Sequence, residues 1–113
     1  MHELAIAQSV LDIALSTAAS HNARRVTGIK ILAGELTGVV PEALEFSFAA
    51  LAGNTIAADA GLSVSIVPLR GRCRDCREEF AILSRRFFCP CCGSPGVEIT
   101  AGRELSVEYV EVE

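Results

Sequence analysis

Four of the five cysteines stand in two Cys-x-x-Cys pairs, Cys73 with Cys76 and Cys89 with Cys92. Twelve residues separate the two pairs, which is the spacing of zinc-ribbon and zinc-knuckle sites. Two residues between cysteines allow both thiolates of a pair to reach one ion while backbone N–H groups turn toward the sulfur atoms. Two such turns supply four soft donors in a tetrahedron. The sequence therefore predicts a four-thiolate metal site that suits zinc.

A closed four-thiolate site has no open coordination position, so we expect it to fold its segment and not to catalyse a reaction. An iron site of rubredoxin type uses the same ligands and stays open as an alternative. The fifth cysteine, Cys91, lies next to Cys92 and competes with it as a ligand. The two-residue spacing within both pairs favours Cys89 and Cys92, and it leaves Cys91 as a free thiol.

The first three residues, Met1, His2 and Glu3, offer a second set of donors. A histidine at position two can present its imidazole, its own backbone nitrogen and the N-terminal amine to one ion, and Glu3 can complete a planar set. Such tetragonal nitrogen and oxygen donation suits Ni(II) or Cu(II) better than zinc. The alternative is a solvated terminal histidine without function. His21 stands beside Asn22 at a predicted helix end, where a contact with the helix dipole explains it.

Charge is divided unevenly along the 113-residue chain, whose net charge is −4. Residues 70–103 carry seven arginines against four carboxylates, a balance of +3, whereas the remainder carries three cations and ten carboxylates, a balance of −7. This asymmetry predicts that the cysteine-bearing segment is a different physical unit from its flanks. The overall acidity argues against a general binder of nucleic acids or anionic membranes.

The sequence also indicates a compartment. No apolar run approaches the length of a membrane span. The N-terminus lacks the basic start and apolar core of a secretory signal, since Met1-His2-Glu3 opens it and Asp12 interrupts the stretch that follows. The cysteines are therefore expected in a reducing compartment, where paired Cys-x-x-Cys motifs bind metal or do redox work. We predict a cytoplasmic protein.

Two helices are predicted outside the cysteine segment. Over residues 4–20 apolar side chains recur with a helical period, and Leu4 and Ile13 are expected on the buried side. Pro41 suits the first turn of a second helix, which carries a buried apolar stripe and ends near residue 53. These helices supply two apolar faces that a sheet can cover.

Three strands are predicted around these helices, over residues 26–33, 62–69 and 104–112. In the last of them, Val107 and Tyr109 are expected on one face. A lone terminal strand is not stable, so it must join the sheet made by the first two. The prediction is a small α+β domain into which the cysteine segment is inserted before the last strand.

Three motifs of the chain resemble those of the HypA/HybF family of nickel-insertion proteins. They are Met1-His2-Glu3-Leu4, the stretch GELTGVVPEALEFSF at 34–48, and the paired cysteine motifs, the second of which reads Cys-Pro-x-Cys-Gly-Ser. The resemblance covers essentially the whole chain in order and spacing. It implies two helices packed on a three-stranded sheet, with a zinc module before the last strand. Residues 1–69 plus 104–113 are then the nickel-binding domain, and 70–103 the zinc-binding module.

The resemblance implies a metallochaperone, not an enzyme, that helps to deliver nickel to the large subunit of [NiFe]-hydrogenase. Carried over by position, His2 is the expected nickel ligand, with Met1 through its amine and Glu3 beside it. The expected zinc ligands are Cys73, Cys76, Cys89 and Cys92. The implied partners are the GTPase HypB and the hydrogenase large subunit, and for some relatives urease maturation factors, without nucleic acid or membrane. Monomer and homodimer both stay open. Cys91 departs from the family, which more often has a charged or polar residue there.

Two rival functions fit parts of the sequence. The arginine-rich segment favours a zinc-ribbon module that binds nucleic acid, but the acidic remainder opposes it. A thiol–disulfide oxidoreductase needs an attacking thiolate at a helix N-terminus in a βαβ context, whereas both cysteine pairs here are predicted in short turns. The carboxylates Glu35, Glu42 and Glu45 are read mainly as scaffold, with contact to a partner protein as the alternative.

Overall fold

A computed structural model describes residues 3–113 and confirms the predicted α+β architecture. In chain order the elements are α1 (Glu3–Ser20), β1 (Val26–Gly34), a 3₁₀ turn (Glu35–Thr37), α2 (Pro41–Ala52), β2 (Gly61–Val67), β3 (Arg70–Cys73), β4 (Glu79–Ala81), β5 (Val97–Ala101) and β6 (Leu105–Val112). The strands form two separate three-stranded sheets. In the part of the chain described, no helix has the length and apolar character that a membrane crossing requires.

The first sheet has the order β2-β1-β6, with β1 in the centre. β1 runs parallel to β2 and antiparallel to β6. Parallel neighbours cannot be joined by a tight turn, and α2 supplies the crossover between them. Pro41 opens α2 at its first turn, where the missing N–H costs nothing because that group has no partner in the helix.

The hydrophobic core lies between the helices and this sheet. Its α1 positions are mostly alanine, which lets the helix approach its neighbours closely. The buried side chains are those of Ala7, Val10, Leu11, Ala14, Ala18, Val26, Ile29, Ile31, Ala33, Val39, Leu44, Phe48, Ala52 and Ala57. Leu4 and Ile13 are 58% and 46% exposed, so the prediction that both are buried is wrong. Ile13 instead borders a shallow groove between α1 and β6, where it lies beside Leu105.

A bulge in β6 changes the face of the strand on which Tyr109 lies. Lys30 pairs with Tyr109, but the next residue of β1, Ile31, pairs with Val107, so Glu108 is an extra residue in β6. Because side chains alternate along a strand, the extra residue moves Tyr109 to the face opposite Val107. Tyr109 is accordingly 49% exposed while Val107 packs against the core. The prediction that these two residues share a face is wrong.

The second sheet has the order β4-β3-β5 and carries the cysteine segment between β2 and β6. Its apolar interior is small. A methyl group on Gly71 would lie 2.7 Å from Val97 Cγ1 and 2.9 Å from Ile82 Cδ1, so these side chains pack directly over the backbone of β3. Ile82 is buried, and so is Leu69, which precedes β3 and packs against Gly102. An interior of this size gives little hydrophobic stabilisation by itself.

The two sheets are joined at a close backbone crossing. A methyl group on Gly34 would lie 2.1 Å from the carbonyl carbon and oxygen of Gly102. Gly34 N–H donates to Glu104 O at 2.6 Å, and Leu69 N–H donates to Glu35 Oε1 at 3.0 Å. Both linkers of the second sheet are therefore tied to the end of β1 and the turn after it. Glu35 serves the scaffold in this way.

We expect Gly34→Ala to lower the free energy of unfolding by about 3 kcal/mol, because the added methyl group meets backbone that cannot give way. Urea denaturation followed by circular dichroism measures the change. Gly53→Ala is the matched control: Gly53 has φ −54°, and the nearest atom to an added methyl group is 3.9 Å away. The control is expected to be neutral or to stabilise by up to about 1 kcal/mol. Equal urea midpoints for the Gly34→Ala and Gly53→Ala variants would contradict the close approach of Gly34 to Gly102.

Candidate metal centre

Four of the cysteine side chains converge in the second sheet. Cys73 ends β3 and Cys76 lies in the turn that leads to β4, while Cys89 and Cys92 lie in the segment before β5. All four sulfur atoms lie within 4.8 Å of one another. The structure thus brings together the four residues that the spacing predicts. The side chain of Cys91 is exposed and is not among them.

The distances between the sulfur atoms suit a tetrahedral ion. Cys73 Sγ lies 3.6 Å from Cys92 Sγ, and Cys76 Sγ lies 3.5 Å from Cys89 Sγ. Tetrahedral zinc with Zn–S bonds of about 2.3 Å needs sulfur atoms about 3.8 Å apart. The four-cysteine cluster is therefore a metal site by its donor set and its geometry. Within residues 3–113 it is the one group of three or more metal-binding side chains close enough to share an ion.

The two cysteine turns are built alike. Arg77 N–H donates to Cys73 O at 2.9 Å, and Gly93 N–H donates to Cys89 O at 2.9 Å. Arg77 and Gly93 occupy the same place, four residues after the first cysteine of each pair, and both are left-handed, with φ of 64° and 76°. Each turn is thus closed by the same hydrogen bond and the same backbone reversal. Gly93 meets that reversal without strain, whereas Arg77 does not.

This equivalence predicts opposite effects for two substitutions. Arg77→Gly is expected to raise the stability of the metal-loaded chain by about 1 kcal/mol, because glycine removes the left-handed strain. Gly93→Val is expected to lower it by about 2 kcal/mol, because a β-branched side chain is strained at that φ. Thermal unfolding of the metal-loaded variants measures both. A Gly93→Val chain as stable as the parent would contradict the turn geometry.

Backbone N–H groups point at the first sulfur of each pair. The Cys76 N–H lies 3.5 Å from Cys73 Sγ, and the Cys91 and Cys92 N–H groups lie 3.3 and 3.5 Å from Cys89 Sγ. Donation from Cys76 N–H is the main cause that lowers the pKa of Cys73 to about 7. Donation from Cys92 N–H likewise lowers the pKa of Cys89. These two thiols are prepared as thiolates, which is the form that binds metal.

The second thiol of each pair behaves in the opposite way. For Cys76, the Glu78 N–H lowers the pKa, but the neighbouring Cys89 sulfur and partial burial outweigh it and raise the pKa to about 12. For Cys92, donation from Ser94 N–H is outweighed in the same manner, chiefly by Cys73. Four sulfur atoms at this separation resist full ionisation unless a cation holds them together.

Metal affinity is therefore expected to depend steeply on pH. The pKa values of Cys76 and Cys92 are raised, so a metal ion must displace both protons at neutral pH. Below about pH 7 Cys73 is protonated as well and a third proton is released. The apparent zinc affinity should therefore fall as the pH is lowered, by at least about a hundredfold per pH unit near neutrality and more steeply below pH 7. Competition with a chelator at several pH values measures this dependence. An affinity that does not change between about pH 6 and pH 8 would contradict it.

Charged groups around the cluster are partly paired with one another. Arg72 and Arg74 share one carboxylate, with nitrogen–oxygen distances to Glu98 of 3.4 and 3.8 Å. Two of the arginines that favoured a nucleic-acid module are therefore partly neutralised within the sheet. Ser94 Oγ donates to Asp75 Oδ2 and links the two cysteine turns. The sequence carried no signal for this link, because neither residue is part of a motif with a fixed spacing.

The predicted nickel donors can be traced only in part. Met1 and His2 lie outside the described residues, so the structure does not test them. Glu3 is the first residue of α1 and is partly buried. His21 follows the end of α1, and its Nδ1 lies 2.9 Å from Thr17 O. His21 thus serves the end of the helix, as the sequence predicts.

Comparison with known proteins finds similar chains that match over essentially the whole length of this one. The family model described as hydrogenase/urease nickel incorporation, metallochaperone, HypA, matches residues 1–112. The chain is 40% identical over its full length to a hydrogenase maturation factor HypA from Desulfitobacterium hafniense, covering 99% of that protein. It is 44% identical to one from Geotalea uraniireducens, with both chains covered completely. Its fold resembles the solution structure of the Ni metallochaperone HypA from Helicobacter pylori at a TM-score of 0.70 and 22% identity, covering 99% of this chain and 97% of that one.

Proposed function

This chain belongs to the HypA family of nickel metallochaperones that serve hydrogenase maturation, and on that premise we propose that it binds Ni(II) at its N-terminus and helps to insert the ion into the large subunit of [NiFe]-hydrogenase. Membership confirms the resemblance carried by the three sequence motifs. The observation that carries the proposal is the match of the family model across residues 1–112, which includes both the N-terminal motif and the cysteine pairs. Nickel is the cargo here, not a resident cofactor.

We propose His2 as the central nickel ligand, with the amine of Met1 and with Glu3 beside it. The imidazole, the His2 backbone nitrogen and the amine form fused chelate rings, and nitrogen and oxygen donors in a tetragonal set suit Ni(II). Glu3 opens α1, where a carboxylate is favoured by the helix dipole and adds negative charge next to the other donors. A site at a chain terminus can exchange its donors one at a time for those of a client.

For the four-cysteine cluster we propose zinc, held by Cys73, Cys76, Cys89 and Cys92, with a structural role. Four thiolates favour zinc over the harder divalent ions, and the sulfur separations fit a zinc tetrahedron. A site closed by four protein ligands leaves no position for a substrate. Together with the small apolar interior of the second sheet, this supports a site that folds residues 70–103 and does no chemistry on its own. The proposed nickel-binding domain is then 1–69 with 104–113.

The proposed partners are the GTPase HypB and the hydrogenase large subunit, with urease maturation as a second client. We place the encounter in the cytoplasm, where thiols stay reduced and can hold metal. The competing proposal is a zinc-ribbon module that binds nucleic acid. It is weakened because Arg72 and Arg74 both pair with Glu98, which partly neutralises them. We propose a carrier and not an enzyme, and a carrier does not need a site at which a substrate reacts.

Nickel content of the hydrogenase large subunit tests this function. Cells that lack the chain are expected to produce a large subunit without nickel, and the parent chain is expected to restore it. The His2→Ala variant should fail to restore nickel, whereas His21→Ala should restore it fully, since His21 contacts only the end of α1 in the described structure. A large subunit that is fully loaded in the absence of the chain would refute the proposal.

A further inference from the structure

An apolar surface of the cysteine module is open to solvent and has no part in the metal site. It lies in the segment between β4 and Cys89, where Leu83 is 69% exposed and Phe88 is 48% exposed. Phe87 is exposed as well, at 39%. Single exposed apolar side chains are normal on a protein surface, but here three large ones lie in one short segment. Such clusters commonly mark contact sites for other proteins.

Two of these side chains, Leu83 and Phe88, border a common groove. The groove measures about 170 Å³ and is lined by Phe80, Ala81, Leu83, Arg86, Phe88 and Pro90. Ser84 and Arg85 are both left-handed, with φ of 51° and 55°, and Arg86 N–H donates to Leu83 O at 3.0 Å. The turn is therefore hydrogen-bonded and holds its apolar and cationic side chains at the edge of the groove. A preformed groove of this kind lowers the entropy cost of binding a partner.

The charged residues of the segment that forms most of the groove are of one sign. Residues 80–97 contain no Asp or Glu and two arginines, Arg85 and Arg86. Both are exposed, and among residues 3–113 no carboxylate lies within ion-pair distance of either. This contrasts with Arg72 and Arg74, which share Glu98 on the same module. The two free guanidinium groups are available to carboxylates of a partner.

We propose that this surface docks an acidic segment of another protein that inserts an apolar side chain into the groove. The docking surface is defined by the groove residues Phe80, Leu83, Arg86, Phe88 and Pro90, together with Arg85, the exposed residue that precedes Arg86 in the turn. The apolar groove supplies the anchor site, and the arginines select for negative charge at its rim. The inference goes beyond the proposed nickel function, since it needs none of the predicted nickel donors.

An acidic protein segment fits this surface better than a nucleic acid does. Nucleic-acid affinity comes mostly from neutralised phosphates, and the segment that forms the groove carries only two cations, Arg85 and Arg86. The lining has two rings on which a base can stack, Phe80 and Phe88, but Arg86 is its one charged residue, and the other lining side chains are apolar. A protein side chain of leucine or phenylalanine type gains from the same lining through burial.

Fluorescence anisotropy with labelled synthetic peptides tests the proposal on the full zinc-loaded chain. The probe alternates Glu and Leu, and the comparison peptides alternate Lys and Leu or Glu and Ala. We expect only the Glu/Leu peptide to bind, more weakly at high salt. Leu83→Asp should weaken its binding at least about tenfold, and Arg85→Ala with Arg86→Ala should weaken it and reduce its salt dependence. Phe46→Asp is the matched control, because Phe46 is 79% exposed on α2 and should not matter.

Four outcomes would overturn the proposal. The first two are that the Lys/Leu peptide or the Glu/Ala peptide binds as tightly as the Glu/Leu peptide. The third is that single-stranded DNA binds independently of Leu83 while no peptide binds. The fourth is that Phe46→Asp weakens binding as much as Leu83→Asp does. Sedimentation velocity adds a fifth: self-association lost in Leu83→Asp would assign the surface to a second copy of the chain. Zinc content is measured for each variant. Should Leu83→Asp lose zinc, the Arg85→Glu, Arg86→Glu pair carries the same test at two exposed positions.

Discussion

Replacing Cys89 by serine is expected to abolish zinc binding and to unfold the cysteine module while the two helices and the first sheet stay folded. Cys89 is 1% exposed, and its sulfur receives N–H groups from Cys91 and Cys92. A serine hydroxyl is not ionised at neutral pH, so the substitution leaves three thiolates and an open position. Structural zinc sites contribute about 10–16 kcal/mol of apparent binding free energy, and that energy is folding energy.

The module has little to replace that loss. Its described interior consists of a few buried side chains, such as Leu69 and Ile82, and its strands have three to five residues each. The main core is independent of it, because its buried residues all lie between Ala7 and Ala57. We therefore expect resonances of residues 70–101 to lose dispersion in a nitrogen–proton NMR spectrum. Helical circular dichroism should be nearly unchanged.

Cys91→Ser is the matched control for this experiment. It is the same chemical change in the same turn, but the Cys91 side chain is exposed and lies outside the four-sulfur cluster. The variant should keep one zinc ion per chain and a folded module. Zinc retained by Cys89→Ser at the parent affinity, or zinc lost from Cys91→Ser, would show that the ligand set is assigned wrongly.

Much of this fold could be predicted because its signals are local. Pro41 marks the start of α2, and the two-residue spacing of Cys73 and Cys76 anticipates a shared ion. The predicted strand over 62–69 ends earlier, at Val67, where Pro68 cannot donate to a ladder. Each of these follows from a few neighbouring residues, whose covalent geometry already restricts the backbone.

What could not be predicted depends on residues that are distant in sequence. The face of Tyr109 depends on a bulge that arises only when β6 pairs with β1. Ile13 has the right period for burial, but α1 turns it toward a groove beside β6. The left-handed Arg77 has no sequence signal of its own, and its role appears only when the first cysteine turn is compared with the second. The periodicity of apolar residues therefore predicts that a segment is a helix or a strand. The elements that pack against that segment decide which of its faces is buried.

Replacing His2 by alanine is expected to weaken nickel binding at least about a hundredfold, which corresponds to about 2.7 kcal/mol. The substitution removes the imidazole alone, since the amine, the backbone nitrogen and Glu3 remain. Calorimetric titration of nickel into the zinc-loaded chain measures the change. Zinc must be bound first, because vacant thiolates would otherwise take up nickel and mask the N-terminal site.

His21→Ala controls for the loss of a histidine as such, since the chain has two. Its nearest partners are the Thr17 carbonyl and the Ser20 hydroxyl at the end of α1, so it should bind nickel like the parent. The absorption spectrum separates geometry from affinity, because planar nickel coordinated by a deprotonated backbone nitrogen differs from octahedral nickel held by oxygen and water. Affinity should also fall in mild acid, where the imidazole and the amine keep their protons. A His2→Ala chain with the parent's affinity and spectrum would move the cargo site away from the N-terminus, while leaving the proposal for the zinc site untouched.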